Sequence, residues 1–378
     1  MTAASADHLV IGGGPAGSMV ALRLAAAGRG VVLVEKERVA HHKVCGEFLS
    51  REAVHYLRQI EIEPTALGAT VIGNVRLAAG SRIVASPLPF PALSLSRHVL
   101  DEALLVRAAQ SGCRVVRGVA VESLAAASSG WIAQLSNGES LRSPAVFLAT
   151  GKHDLRGWSR PPGRQSDLIG FKMHWHLAPV QIETLRGSMD LFLFSGGYGG
   201  LSLVENDTAN LCLVVRRSML RKLSGWHDLL TTILAQNQHV RGLLDGAQPV
   251  WPRPLAISPI PYGYLAAEER GVWCIGDQAA VIPSFTGDGI SIALHSGALA
   301  AEIFLAGQSV ASFNRVLRAQ LSPSMTLATW LSRASVTASG STSAFFVASL
   351  FPGAMQSIAA STRIPQHALI GSALNTVA

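Results

Sequence analysis

Three glycines and one acid near the amino terminus have the spacing to hold a charged nucleotide. Gly12-Gly13-Gly14-Pro15-Ala16-Gly17 follows the apolar run His8-Leu9-Val10-Ile11, and Glu35 ends a second apolar run, Val31-Val32-Leu33-Val34. Gly12 permits a tight turn, Gly14 removes the side chain that would obstruct a diphosphate, and Gly17 lets a helix approach the strand closely. The helix opening at Pro15 and Ala16 presents amides without intrahelical partners to negative charge. Glu35 is placed to accept hydrogen bonds from ribose hydroxyls and to disfavour a 2′-phosphate, with Lys36 beside it. Positioning these groups takes a buried strand, a helix to about Ala27 and a second buried strand. The spacing therefore predicts a βαβ dinucleotide-binding unit.

Further along, Lys43-Val44-Cys45-Gly46-Glu47 offers a cation and a thiol, and His174 and His176 share one face of an expected strand. The two histidines either enter a substrate cavity or meet solvent or a hydrogen-bond partner. With no third ligand nearby in sequence they are not read as a metal site. Tyr262 and Tyr264, in Pro261-Tyr262-Gly263-Tyr264, either approach a substrate or pack at a domain interface. No side chain stands out as a general base, so the catalytic residues are not assigned. Cys45, Cys113, Cys212 and Cys274 lie far apart and lack the paired spacing of a zinc or iron–sulfur site.

The remaining elements follow from periodicity and turn signals. Ser96-Arg97 opens a helical pattern that Ser111-Gly112 stops, and short strands are expected around Val119–Leu124, Trp131–Leu135 and Ala145–Ala149, with a hairpin turn at Asn137-Gly138. From Phe171 to Arg217 the pattern turns to antiparallel strands, joined by a strand around Asn74–Leu77, and a helical region is expected over Ser218–Leu244. Gly271–Asp277 reads as a strand running into Gly276-Asp277. Gly287-Asp288-Gly289-Ile290 then leads into another helix, a second place where a helix amino terminus meets a cofactor.

Composition narrows the function classes. The chain has 378 residues, 31 basic against 24 acidic, with a formal charge of +7 and no polybasic arm, which favours an anionic cofactor over a nucleic-acid footprint. Mean hydropathy is +0.32. No apolar run is long enough to span a bilayer. The least polar late segment, Ala344–Phe351, is expected as a core helix, a tunnel wall or a surface that touches lipid. The amino terminus shows no charged leader or cleavage signature, so a cytoplasmic location is expected.

Taken together, these motifs resemble the flavoprotein superfamily that contains aromatic-ring hydroxylases, geranylgeranyl reductases and flavin-dependent halogenases, over roughly residues 8 to 300. The resemblance implies FAD, in a Rossmann-like α/β fold with an α+β substrate domain. It implies FAD-binding segments at 1–70, 97–168 and 266–310 and substrate-domain segments at 71–96 and 169–265; beyond its reach, residues 311–378 read as a helical carboxy-terminal region. In such proteins an arginine at the start of the second helix, here Arg97, helps bind the cofactor. The acid of Gly276-Asp277 lies near the ribityl chain or diphosphate, and Gly287, Gly289 and Ile290 approach the flavin ring. Lys43-Val44-Cys45-Gly46 is similar to the Lys-x-Cys-Gly motif of the geranylgeranyl-reductase branch and its secondary-metabolite relatives. There Cys45 either lines the pocket or is a buried structural thiol, and Lys43 either balances negative charge or is solvated.

The resemblance also has departures. Thr150-Gly151 stands where many hydroxylases have Asp-Gly, Gly276-Asp277-Gln278-Ala279-Ala280-Val281 lacks the histidine that often follows, and the tryptophan-containing motif of halogenases is missing. The first expectation is hydroxylation of an aromatic or hydrophobic metabolite through a peroxyflavin. Reduction of carbon–carbon double bonds in an isoprenoid or other lipid-like substrate is the alternative, and action on a peptide or carrier-bound partner is a third. NAD(P)H or a separate reductase is the expected electron source, nucleic acid is not an expected partner, and peripheral membrane contact remains open.

Overall fold

The computed structural model describes residues 4–267 and 270–371. Five parallel strands form its nucleotide-binding sheet, in the order Trp273–Cys274, Ala145–Leu148, His8–Ile11, Val31–Glu35, Arg114–Arg117. The inner strands are near-continuous apolar runs because helices or a second layer cover both faces. Val31–Glu35 is buried at every position. The helix Pro15–Ala26 follows the first strand, and the helices Arg97–Gln110 and Gly289–Leu305 join it in one apolar core. The other face carries a small sheet of Ala4–Ser5, Ser140–Ser143, Gly130–Leu135 and Val121–Ala127.

A nine-stranded mixed sheet builds the second layer. Its centre runs Leu168–His176, Ala209–Arg216, Gly197–Leu203, Ser188–Phe194, Thr70–Ala79, Arg82–Ser94. Every neighbouring pair there is antiparallel except Ser188–Phe194 with Thr70–Ala79. Strand alternation gives this sheet two different faces. Phe171, Met173 and Trp175 enter a core closed by the short helices beyond Arg216. Gly170, Lys172 and His174 point to the opposite face, in register across the sheet with Val214, Cys212 and Asn210.

Two expected elements are interrupted. The strand expected over Gly271–Asp277 is confined to Trp273–Cys274, with one more bond from the Ile275 amide to the Leu148 carbonyl, because Gly276 turns with φ +61° into a 3₁₀ turn, Gly276–Gln278. The helical region expected over Ser218–Leu244 is three helices, Arg217–Leu220, Trp226–Gln236 and Gln238–Leu243. Gly225 at φ 150° and Asn237, which caps the third helix, make the breaks. The carboxy-terminal region is helical over Val310–Ser335, Ala338–Leu350 and Pro352–Ser361.

Candidate functional site

The first strand ends where Gly12 turns at φ +104°. A Cβ there would meet the Ala149 carbonyl oxygen at 2.5 Å, and one on Gly17 would meet the Gly12 carbonyl oxygen at 1.9 Å. Both positions are glycine because strand, loop and helix are packed against one another. Gly14 differs: among the described residues a Cβ there would come within 4 Å only of Arg97 Nη2, at 3.4 Å. Gly14 therefore faces open space at the amino terminus of Pro15–Ala26, beneath a guanidinium, as an anionic diphosphate requires. Glu35 stands beside it, 5% exposed, its Oε2 accepting from the Gly13 amide at 2.7 Å and its Oε1 from the Glu37 amide at 3.1 Å. These bonds fix the carboxylate at the edge of the cavity, where a ribose would meet it.

Arg97 is the first residue of its helix, which Ser96 caps by accepting from the Val99 amide. Its guanidinium makes two parallel bonds to Asp101, at 2.7 and 2.8 Å, and Lys43 Nζ reaches the same carboxylate at 2.8 Å. Burial alone would raise the Asp101 pKa, but the two cations outweigh it and hold the acid below its ordinary range. Burial likewise opposes the charge on Arg97, and Asp101 more than reverses that. Lys43 is thus an ion-pair partner of this cluster as well as a wall residue of the cavity. Asp277 pairs with Lys152 at 3.3 Å, and its carbonyl accepts from Arg160 at 2.6 Å. Gln278 donates to the carbonyls of Gly151 and His153, tying the two loops together.

The late loop is held from an unexpected direction. Asp288, 1% exposed, pairs with Arg363 from the carboxy-terminal region at 3.1 Å, and Arg363 also donates to the Thr286 carbonyl. Burial pushes the Asp288 carboxyl up to about 6, against the opposing pull of Arg363. Gly287, Gly289 and Ile290 line the cavity directly beyond.

Glu47, at the end of the Lys43–Glu47 segment, was not singled out from sequence. It has a left-handed backbone, φ 60°, and is fully buried. Its carboxylate accepts from Lys172 Nζ, from His174 Nε2 at 2.9 Å and from the Arg97 amide at 2.7 Å. Burial would raise its pKa, but Lys172 and the hydrogen bond from His174 hold it below the usual carboxylate range. The large sheet thus fastens the Cys45 loop through a buried ion cluster, and Asn210 Nδ2 adds a bond to the Cys45 carbonyl at 3.3 Å. His42, stacked at 5.0 Å on exposed His98 and 4.8 Å from His174, is pushed down to about 4 by burial and by Lys172, so it is neutral at pH 7. One ligand atom from each of His42, Glu47 and His174 lies within 4.8 Å of the others, a grouping the sequence did not reveal. The Lys172 ammonium already supplies positive charge to that carboxylate and His174 is hydrogen-bonded to it, whereas His42 joins the group only through ring contacts and its buried Nδ1 has no hydrogen-bond partner among the described residues. A charged residue alternating with histidine in an otherwise apolar strand was the available signal.

From the glycine cradle a cavity of about 1220 Å³ runs along the large sheet to the terminal helices. Cys45 and Cys212 line it near the loop, where burial, followed by the neighbouring Cys45, pushes the Cys212 thiol up to about 12. Val75, Leu77, Met189, Leu191 and Tyr198 line the sheet wall, and Leu331, Val347, Met355 and Ile358 the far end. Tyr262 is buried and lines the cavity. Three candidates lie elsewhere. Tyr264 sits half-buried off the wall in the short strand Tyr264–Leu265, His176 is exposed at the end of its strand, and His174 is committed to Glu47 behind the wall. His176 is the last residue of its strand and lies past the final pairing with Ala209–Arg216, at Trp175, so it is exposed while His174 is covered.

Residues 5–146 match the family model of an FAD binding domain. Over 320 residues the chain is 27% identical to a menaquinone reductase of Mycolicibacterium smegmatis, covering 80% of this chain and 77% of that protein. It is 26% identical over 316 residues to a digeranylgeranylglycerophospholipid reductase of Methanosphaera stadtmanae, covering 78% and 76%. Among solved structures, the fold is similar to that of the flavin-dependent brominase Bmp2, with a TM-score of 0.77 and 18% identity over 95% of this chain and 93% of that one. The cradle fits FAD on its own geometry and the family match covers the same residues. The chain is accordingly an FAD-dependent oxidoreductase, and the proteins it aligns with match the superfamily that its sequence resembles.

Proposed function

We propose that this oxidoreductase reduces a carbon–carbon double bond in an isoprenoid or similarly lipid-like substrate. The observation that carries the reading is the shape and lining of the cavity. It is long, predominantly apolar, and continuous from the late glycine loop to the terminal helices. Such a lining selects an extended hydrocarbon and excludes water from the reacting end. The two reductases that align with most of the chain support it.

FAD, when bound, supplies the redox chemistry, and Gly12, Gly14, Gly17, Glu35 and Arg97 are the residues that would hold it. The chain's own work is to orient the substrate along the sheet wall and to keep the Cys45 loop rigid through Glu47, Lys172 and His174. NAD(P)H or a separate reductase serves as the electron source. The test is turnover without oxygen. Holoenzyme supplied with electrons anaerobically should add two hydrogen atoms to a polyprenyl substrate, seen as a mass increase of two units in the product. If turnover requires dioxygen and the product carries oxygen-18 from it, the hydroxylation expected first from the sequence replaces this reading.

A further inference from the structure

The far end of the cavity opens among side chains unusual for a protein surface. Between Arg333 and Arg363 the sequence contains no Asp, Glu, Lys or Arg. Within and beside that stretch Trp330 is 65% exposed, Phe346 59% and Phe351 63%, and Val347 and Leu350 are also exposed. Trp330 and Val347 line the cavity as well, so the mouth and the apolar patch are the same place. Contiguous exposed apolar surface of this kind marks an interaction site.

The surrounding charge identifies the occupant. Arg82, Arg164 and Arg333 are exposed around the patch, with Arg82 standing 4.7 Å over the ring of buried Phe345. Arg333 donates to the carbonyl of Arg164, which places those two side by side. Exposed arginines beside exposed tryptophan and phenylalanine are complementary to an anionic lipid surface, where the aromatic groups enter the headgroup boundary and the cations meet phosphates. The chain's overall charge of +7 acts in the same direction. Among the described residues no single helix is long and apolar enough to cross a membrane. Only a bent pair, Ser339–Leu350 with Gly353–Ala368, passes by length and composition.

We propose that this face docks on an anionic bilayer surface, so that a lipid-like substrate passes from the membrane into the cavity between Trp330 and Val347 without crossing water. The inference rests on the lipid-like substrate read above, but docking is measured without turnover, so either can fail alone. FAD-loaded full-length protein is sedimented with phosphatidylcholine vesicles and with vesicles also containing phosphatidylglycerol. It should bind the anionic vesicles, weaken as salt rises, and bind the neutral ones less. Replacing Phe346→Ser together with Phe351→Ser should lower the partition at least about tenfold, by removing two aromatic groups from the boundary. Both side chains are exposed, so FAD content and thermal midpoint should be unchanged.

The proposal is overturned if the holoenzyme stays in the supernatant with both vesicle types, or if the double variant binds as the parent does. It is equally overturned if the patch closes on a second copy, seen as a lipid-free dimer that the double variant abolishes without any change in vesicle binding. Resistance to extraction by high salt and alkaline carbonate would mean insertion of the bent pair and would also reject surface docking.

Discussion

Glu47 shows how much one residue can hold. Its left-handed backbone suits glycine, so a glutamate there is sustained by what its carboxylate binds. Removing that charge leaves the Lys172 ammonium fully buried without its partner. Glu47→Gln should destabilise the holoenzyme by about 3–5 kcal/mol in urea unfolding, and adding Lys172→Met should recover most of the loss. The pH dependence has a definite sign. Because the folded Glu47 pKa is depressed, its contribution is present above the ordinary carboxylate range and is lost as pH falls through the folded value. Gly14 gives the opposite kind of prediction. A Cβ there meets only the Arg97 guanidinium, at a distance that guanidinium can accommodate, so Gly14→Val should leave the circular dichroism spectrum intact. The added side chain occupies the diphosphate position, and bound FAD measured by absorbance should fall at least about tenfold.

At the scale of elements, the tie between the late loop and the terminal helices couples the cofactor end of the cavity to its mouth. Burial raises the Asp288 pKa to about 6, whereas an unfolded aspartate titrates near about 4. Within that window the folded chain binds the extra proton, so this group's contribution to stability decreases as pH rises. Asp288→Asn should remove that slope: raising pH from about 4 to about 7 should shift the difference in thermal midpoint in the variant's favour. Arg363→Leu should do something distinct. Arg363 depresses the Asp288 pKa, so its loss should extend the sloping window above about pH 6, read from the midpoint as a function of pH.

For the whole molecule, cavity length should set which substrates turn over. Gly200 lies on the cavity wall, where a Cβ would make only ordinary contacts with Met189 at 3.6 Å and Leu191 at 3.7 Å. Gly200→Leu should therefore fold and shorten the cavity, lowering kcat/KM for long chains more than for short ones, as a chain-length series would register. The nucleotide cradle was legible from Gly12 to Glu35 because the strand, the left-handed turn at Gly12, the close approach at Gly17 and the helix amino terminus are contiguous in sequence. The ion cluster was not legible. Glu47 meets Lys172 and His174 only because the large sheet gathers strands from both halves of the chain, and Asp288 meets Arg363 only because the last helices fold back on the cavity. The sequence by itself determined which backbone can approach a diphosphate. Tertiary packing decided which buried charges face one another and where the apolar cavity opens, because those depend on contacts between segments with no local spacing to announce them.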